Sequence, residues 1–292
     1  MSVMTYFTPV YNRAHTLPKL YESLLHQTNQ NFVWLIVDDG STDTTPMLVK
    51  NYISEGIIPI TYIHQENCGK YVAHNVGVMN CCTDLFCCVD SDDYLIDIAT
   101  ERVLDTWAAN KDDLSIVGIV SPRKLSDNSM FCTTKKRGTL DELYNKRYFK
   151  GDTMLVYRTK VLKDLLFPVY ENEKFMSEGA LYLQIDQTGE LIYLNEHLYC
   201  TASYLDDGLS HNLIKHRYSS PKCTAYEFYI YAALRKSFVQ RVKNYACYKA
   251  WTEVLGVEFI TPRYQIGIII RIGGLLLCKH YKLYFEREMK TL

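Results

Sequence analysis

The first 120 residues alternate short apolar runs with longer amphipathic segments, and this alternation restricts the folds open to the chain. Runs with the length and composition of β-strands lie at 3–7, 32–37, 60–63, 85–89 and 115–120. Segments with helical periodicity follow the first four runs, at about 15–27, 43–54, 69–80 and 97–109. This order predicts an α/β domain in which crossover helices cover a mostly parallel central sheet.

Polar loops follow the predicted strands at the edge of the sheet where ligands bind in such folds. In chain order they are residues 8–13, 38–43, 65–70 and 90–93. The last of them, Asp90-Ser91-Asp92-Asp93, places three carboxylates directly after a buried strand. Clustered carboxylates at this position suit a divalent cation that is held against a phosphorylated ligand.

Neither of the two common glycine-rich phosphate cradles is present in the sequence. The first strand is not followed by Gly-Xaa-Gly-Xaa-Xaa-Gly, and Gly-Xaa4-Gly-Lys-Ser/Thr does not occur. A bound phosphate must therefore be neutralised in another way. A metal ion held by Asp92, together with Asp90, would do so, because hard cations bridge carboxylate and diphosphate oxygens. The pattern predicts a nucleotide site that is not a dinucleotide site.

Four motifs in the loops carry a resemblance to a known family. They are Pro-Val-Tyr-Asn at 9–12, Val-Asp-Asp-Gly-Ser-Thr-Asp at 37–43, Asn-Xaa-Gly-Lys with Ala-Xaa-Asn-Xaa-Gly at 67–77, and Val-Asp-Ser-Asp-Asp at 89–93. In this order the chain resembles family 2 glycosyltransferases of the GT-A (Rossmann-like) fold, in particular bacterial surface-polysaccharide and glycoconjugate sugar transferases. The resemblance covers residues 3 to about 120 and thins after them.

The resemblance implies transfer of a sugar, with inversion, from a nucleotide-diphosphate sugar to a hydroxyl group. The donor would be a UDP-sugar, and the acceptor a glycan or a lipid-linked or protein-linked group. A cofactor of Mn²⁺ or Mg²⁺ is implied as well. Residues 1–212 would form the catalytic domain, with a nucleotide-binding half at 1–120 and an acceptor-side half at 121–212.

The resemblance also implies roles for individual residues. The nucleotide-binding residues would be Pro9, Tyr11, Asp39, Lys70, Asp90 and Ser91, and the metal ligands Asp92, Asp90 and His211. Tyr11 would flank the base and Asp39 would accept a hydrogen bond from the uracil ring. An ordinary strand-end aromatic explains Tyr11 equally well, and a surface or packing role explains His211. We expect Asp38 to brace its turn and Asp93 to cap the next one.

The general base of the family lies in an acidic motif that opens a helix, and Glu178 in Phe175-Met176-Ser177-Glu178-Gly179 is the best match. The match departs from the usual Glu-Asp pair, because Ser177 precedes the carboxylate. Glu173 and Asp207 remain alternatives. Glu178 could also be a first-turn acid that the helix dipole favours.

A basic region at 213–292 follows the predicted catalytic domain. It carries 14 Lys plus Arg against 5 Asp plus Glu, although the net charge of the whole chain is −1. We expect it to be helical, and to cover the catalytic domain, to contact an anionic membrane surface, or to form a homo-oligomer. The apolar stretch at 264–278 is too short to span a bilayer.

Other features indicate a cytoplasmic protein, with peripheral membrane contact as an option. No signal-peptide pattern opens the chain, and the ten cysteines include no Cys-Xaa-Xaa-Cys pair and read as reduced. Two other functions fit parts of the pattern, a nucleotide-sugar-binding pseudoenzyme and a sugar nucleotidyltransferase. No nucleic-acid partner is expected.

Overall fold

The computed structural model describes residues 3–124, 129–201, 212–258 and 264–290. The strands within them are β1 (Met4–Val10), β2 (Phe32–Asp38), β3 (Ile60–His64), β4 (Leu85–Cys88), β5 (Asp93–Leu95), β6 (Ile116–Lys124), β7 (Arg137–Gly138), β8 (Thr153–Arg158), β9 (Glu190–Tyr193) and β10 (Tyr199–Thr201). The helices are α1 (Leu17–Leu25), α2 (Thr45–Glu55), α3 (Lys70–Asn80), α4 (Ala99–Ala108), α5 (Leu140–Asn145), α6 (Thr159–Lys163), α7 (Gly179–Ile185), α8 (Leu213–Ser219), α9 (Pro221–Leu234), α10 (Phe238–Leu255) and α11 (Ile268–Met289).

The strands form one curled sheet in the order β3-β2-β1-β4-β8-β6-β10-β5, with β9 beside β6 and β7 beside β9. Strands β3, β2, β1 and β4 are parallel. Strand β8 runs antiparallel between β4 and β6, so the last predicted strand is not a parallel neighbour of β4. All five predicted strands exist, and the predicted α/β class with a mostly parallel sheet and flanking helices is confirmed.

The central strands are almost entirely apolar because helices cover both faces of the sheet. Trp34 of β2 is fully buried, and its Nε1 donates to the Thr8 hydroxyl at 2.9 Å. Tyr21 of α1 stacks on Tyr52 of α2 with ring centroids 3.7 Å apart. Gly77 lets α3 approach β1 closely, since a Cβ at this position would overlap the Phe7 ring. These contacts hold β1 to β2, α1 to α2, and α3 to β1.

The chain divides into two compact units. The first comprises Met1–Leu166 and Thr188–Leu205, and it contains the whole sheet. The second comprises Phe167–Gln187 and Asp206–Leu292, and it contains α7 to α11. Helix α7 therefore groups with the C-terminal helices. The domain boundary at residue 212 stays a prediction.

The second unit is helical, as predicted for the basic C-terminal region. Trp251 of α10 is buried, meets Phe285 of α11 edge-on at 5.1 Å, and donates its Nε1 to the Pro221 carbonyl at 3.0 Å. Earlier along the same two helices, Val242 of α10 lies against Gly273 of α11. The contacts advance together along α10 and α11, so the two helices point in the same direction.

Among the described residues, no helix combines the length and the apolar content that crossing a membrane requires.

Candidate active site

The loops after β1 and β2 are fastened to each other by Asn12. Its backbone takes a left-handed conformation with φ of 54°, and its N–H donates to the Ser41 hydroxyl at 2.9 Å. Its side-chain carbonyl accepts from the Thr42 N–H at 2.8 Å and the Asp43 N–H at 3.2 Å. Asn is one of the few residues other than Gly that adopts this conformation at low cost. The motif at 9–12 therefore has a structural reason as well as a functional one.

Tyr11 and Asp39 lie side by side at the ends of β1 and β2. Pro9 pairs with Val37 in the parallel ladder, and the Asp39 N–H donates to the Val10 carbonyl at 2.8 Å. The Tyr11 side chain that follows is 45% exposed. An exposed aromatic residue thus lies next to a buried acidic residue.

The Asp39 carboxylate is buried and ties β2 to the start of α3. Its Oδ1 accepts from Gln65 Nε2 at 2.7 Å and from the Cys68 N–H at 2.8 Å. Its Oδ2 accepts from the Gly69 N–H at 2.8 Å, directly before Lys70. Gly69 has φ of 98°, which favours glycine. The neighbouring Asp38 braces its own turn, as predicted, by accepting from the Ser41 N–H at 2.7 Å.

Asp90 lies between two cations. Lys70 Nζ is 2.7 Å from its Oδ1, and a guanidinium nitrogen of Arg123 is 3.4 Å from its Oδ2. Burial by itself raises the pKa of Asp90, but the charges of Lys70 and Arg123 outweigh it and hold that pKa well below its usual range. The carboxylate therefore stays ionised and keeps both cations at this edge of the sheet.

Asp93 belongs to the same cluster. Its Oδ2 accepts from the Tyr199 hydroxyl at 2.8 Å and lies 3.4 Å from Arg123. Burial, with the charge of Asp90 adding to it and Arg123 opposing it, raises the pKa of Asp93 to about 6. The expectation that Asp93 only caps a turn was wrong, because the residue opens β5 and its side chain points into the buried network.

Two members of this network were not predicted from the sequence. Tyr199 is fully buried, and its hydroxyl also accepts from the Asp90 N–H at 2.9 Å. Arg123 stacks its guanidinium over the Tyr199 ring at 4.1 Å, although its sequence position placed it on the acceptor side. Residue 123 of β6 and residue 199 of β10 are partners in a parallel ladder. No local signal in the sequence shows that pairing.

Ser91 and Asp92 form the turn between β4 and β5. Ser91 is buried, whereas Asp92 is partly exposed. Burial and the negative charge of Asp90 both raise the pKa of Asp92. A cation beside Asp92 would relieve this unfavourable field.

A divalent metal fits the chemistry of this turn, although the protein supplies few ligands. Among the described residues, no group of three or more His, Cys, Asp and Glu side chains forms a metal site. Asp90 and Asp92 offer carboxylate oxygens, which Mg²⁺ and Mn²⁺ prefer, and such ions commonly take their other ligands from phosphates and water. His211, the third predicted ligand, lies outside the described residues, as does Asp207.

Glu178 lies in the second unit, at the N-cap position of α7. Its Oε2 accepts from the Tyr182 hydroxyl at 3.0 Å, and its carbonyl accepts from the Leu181 and Tyr182 N–H groups. The side chain is partly exposed. An oriented carboxylate at a helix start is suited to accept a proton.

Glu173, the alternative base, has a different setting. It is buried, and its two oxygens accept from the Lys222 N–H at 2.9 Å and the Cys223 N–H at 2.7 Å. These are two of the first N–H groups of α9, which have no partner within the helix. Glu173 thus caps α9 within the second unit.

Comparison with known proteins agrees with the motifs and the fold. The family model described as Glycosyl transferase family 2 matches residues 5–166, more than half of the chain. The chain therefore belongs to glycosyl transferase family 2. The predicted family and the predicted enzyme class, a glycosyltransferase, are confirmed at the level of the family.

Glycosyltransferase GlyA of Streptococcus pneumoniae is 27% identical over 211 residues, which cover 67% of this chain and 30% of GlyA. The chain thus spans less than a third of the length of that relative. The crystal structure of S. aureus TarS 1–349 in complex with UDP-GlcNAc has a TM-score of 0.59 at 15% identity and covers 98% of this chain and 92% of that one. The mannosyltransferase PcManGT from Pyrobaculum calidifontis, in complex with GDP-Man and Mn²⁺, has a TM-score of 0.54 at 14% identity, with coverages of 99% and 82%. Structural similarity at this level of sequence identity shows a shared fold.

Proposed function

We propose that this chain transfers a sugar from a nucleotide-diphosphate sugar to a hydroxyl group of an acceptor. The observation that carries the proposal is the arrangement at the carboxyl edge of the sheet. The Asp39 carboxylate binds the loop before Lys70, and the Lys70 ammonium group binds Asp90. A carboxylate that could bind the base and a cation that could bind the phosphates thus lie on adjoining loops. A nucleotide needs both kinds of group close together.

The donor that we propose is a UDP-sugar. Oδ2 of Asp39 accepts a hydrogen bond from the Gly69 N–H, and a carboxylate oxygen has two lone-pair positions. Asp39 can therefore accept from the ring N–H of uracil, while the exposed Tyr11 ring flanks the base. Pro9 shapes the strand end beneath it. TarS was crystallised with UDP-GlcNAc and PcManGT with GDP-Man, so the base is part of the proposal.

The diphosphate would lie beside the Asp90 cluster. Lys70 and Arg123 supply positive charge at this edge. We propose that Asp92, with Asp90 and with His211 as a further ligand, holds Mn²⁺ or Mg²⁺. When bound, such an ion stabilises negative charge on the leaving diphosphate. PcManGT, a fold relative, was crystallised with Mn²⁺.

Transfer would proceed by a single displacement with inversion at the anomeric carbon. We propose that Glu178 accepts the proton of the acceptor hydroxyl through one of its carboxylate oxygens, while Tyr182 fixes the orientation of the other. Glu173 is a poorer candidate, because both of its oxygens already bind the backbone of α9. The acceptor class that we propose is a glycan or a lipid-linked or protein-linked group, in the cytoplasm.

A donor screen tests the proposal directly. The purified chain is incubated with a panel of UDP-sugars, with Mn²⁺, Mg²⁺ or EDTA, and the release of UDP is measured with and without candidate acceptors. We expect release from a single UDP-sugar, in the presence of metal, with loss of activity in Asp39→Ala. The matched control is Asp97→Ala, an exposed acid outside the network. Release of diphosphate from a nucleoside triphosphate and a sugar phosphate would instead identify a nucleotidyltransferase.

A further inference from the structure

The N-terminal halves of α10 and α11 expose large apolar side chains to solvent. Ile269 of α11 is 68% exposed, Leu276 is 80% exposed, and Phe238 at the start of α10 is 56% exposed. Isolated exposed apolar residues are common, but a contiguous group marks an interaction surface. We name this group the C-terminal apolar patch, and it consists of Phe238, Val239, Ile268, Ile269, Ile272 and Leu276.

The residues of the C-terminal apolar patch lie on neighbouring parts of the second unit. Val242, one turn after Phe238, lies against Gly273 of α11, so the two helix starts are adjacent. On α11, Ile268, Ile272 and Leu276 recur every four residues and share one face. The opposite face carries the residues at 270, 274 and 278, which are buried. The helical core of the unit therefore does not use the patch.

The surroundings of the patch are basic. The segments 228–252 and 264–285 contain no Asp or Glu. They contain eight Lys and Arg residues, which are Arg235, Lys236, Arg241, Lys243, Lys249, Arg271, Lys279 and Lys282. Of these, Lys236, Lys243, Arg271 and Lys279 are exposed. Glu253, near the end of α10, pairs with Lys282 of α11 at 3.6 Å and lies outside these two segments. An exposed apolar group next to basic helix segments that carry no acid is complementary to a surface that is apolar beneath and anionic above.

We propose that the C-terminal apolar patch binds the surface of an anionic phospholipid bilayer. The aliphatic side chains enter the boundary between headgroups and acyl chains, and the surrounding Lys and Arg residues meet the lipid phosphates. A second copy of the chain is a poorer occupant. A two-fold contact through this patch would bring the basic segments 228–252 and 264–285 of both copies together, and neither segment carries an acid that could neutralise the other copy. The proposal does not depend on the proposed sugar transfer.

Vesicle flotation of the full chain tests the proposal. The vesicles consist of phosphatidylcholine alone or of phosphatidylcholine and phosphatidylglycerol in equal parts, and no donor sugar is added. We expect binding to the anionic vesicles only, with weaker binding as salt rises from about 0.1 M to about 1 M. Release of UDP is measured separately, so failure of the catalytic proposal and failure of this one are distinguishable.

Two paired variants assign the binding to the patch. Ile272→Asn combined with Leu276→Asn removes apolar contact, and Lys243→Glu combined with Arg271→Glu reverses charge. We expect each pair to weaken vesicle binding at least about tenfold. Leu114→Asn, at a residue that is 85% exposed in the first unit, is the matched control and should bind as the unmodified chain does. Circular dichroism and thermal unfolding establish that each variant is folded.

Three outcomes would overturn the proposal. The first is absence of binding to anionic vesicles, and the second is equal binding by folded patch variants and the unmodified chain. The third is that the chain does not bind vesicles but forms a concentration-dependent dimer in sedimentation velocity, and that Ile272→Asn dissociates this dimer. That result would assign the patch to a second copy.

Discussion

The Nζ atom of Lys70 lies 2.7 Å from Oδ1 of Asp90, and this ion pair joins the start of α3 to the end of β4. The same carboxylate holds Arg123 on its other oxygen. Asp90 therefore occupies two cations that a diphosphate would otherwise attract. If Asp90 acted only as a metal ligand, neutralising it would leave nucleotide binding without metal unchanged, whereas its role as a partner of Lys70 and Arg123 predicts a change.

We predict that Asp90→Asn binds UDP more tightly than the unmodified chain when EDTA is present, by about threefold to tenfold. Removing the carboxylate charge lets Lys70 and Arg123 interact with the diphosphate. It also removes the repulsion between Asp90 and the diphosphate. Isothermal titration calorimetry measures the effect, with Asp97→Asn as the matched control. Weaker UDP binding by Asp90→Asn in EDTA would contradict this account of the cluster.

Asp92→Asn should lower metal-dependent turnover by about 100-fold or more. A carboxylate that holds a cation against a leaving group contributes several kcal/mol to charge stabilisation in the transition state. Titration of Mn²⁺ should show weaker metal binding in this variant, with UDP binding in EDTA little changed. An Asp92→Asn enzyme with the metal affinity and turnover of the unmodified chain would remove Asp92 as the principal ligand.

The sequence predicts the first half of the sheet and much of the candidate site. Strands β1 and β2 are almost uninterrupted apolar runs, and the loops at 38–43 and 90–93 carry short-range motifs that local chemistry explains. Arg123 and Tyr199 could not be predicted in the same way. They reach Asp90 through the pairing of β6, β10 and β5, which joins segments far apart in the chain. Strand register of this kind depends on tertiary packing and leaves no local pattern.

We predict that Glu178→Gln lowers kcat by about 100-fold to 10,000-fold while donor binding persists, because the amide cannot accept the acceptor proton. Tyr182→Phe gives a finer test. Loss of the hydrogen bond to the ionised carboxylate disfavours that form, so the acid limb of the pH–rate profile should move to higher pH by about half a unit to one unit. A pH–rate profile that does not move in Tyr182→Phe would exclude this interaction.

Glu173→Gln should instead lower stability and leave the pH–rate profile in place. The charged carboxylate accepts two N–H groups at the start of α9, and weakening them should lower the free energy of unfolding by about 1–3 kcal/mol. Urea unfolding measures the change, and the exposed Glu171→Gln is the matched control. If Glu173→Gln kept full stability but lost turnover, the assignment of the base would pass from Glu178 to Glu173.

Stability should depend on pH through Glu142. Hydrogen bonds from Lys135 at 2.6 Å and Lys146, which outweigh the opposing effect of burial, lower the pKa of this largely buried carboxylate. A carboxyl group whose pKa is lower in the folded chain stabilises the fold above its unfolded pKa, about 4.3, and loses this contribution as the pH falls through the folded value. Glu142→Gln should therefore lower the free energy of unfolding by about 1 kcal/mol at pH 7, and by progressively less at increasingly acidic pH. Thermal unfolding from neutral to acidic pH measures this, with the exposed Glu22→Gln as the matched control. A loss of stability in Glu142→Gln that stayed constant with pH would contradict the account.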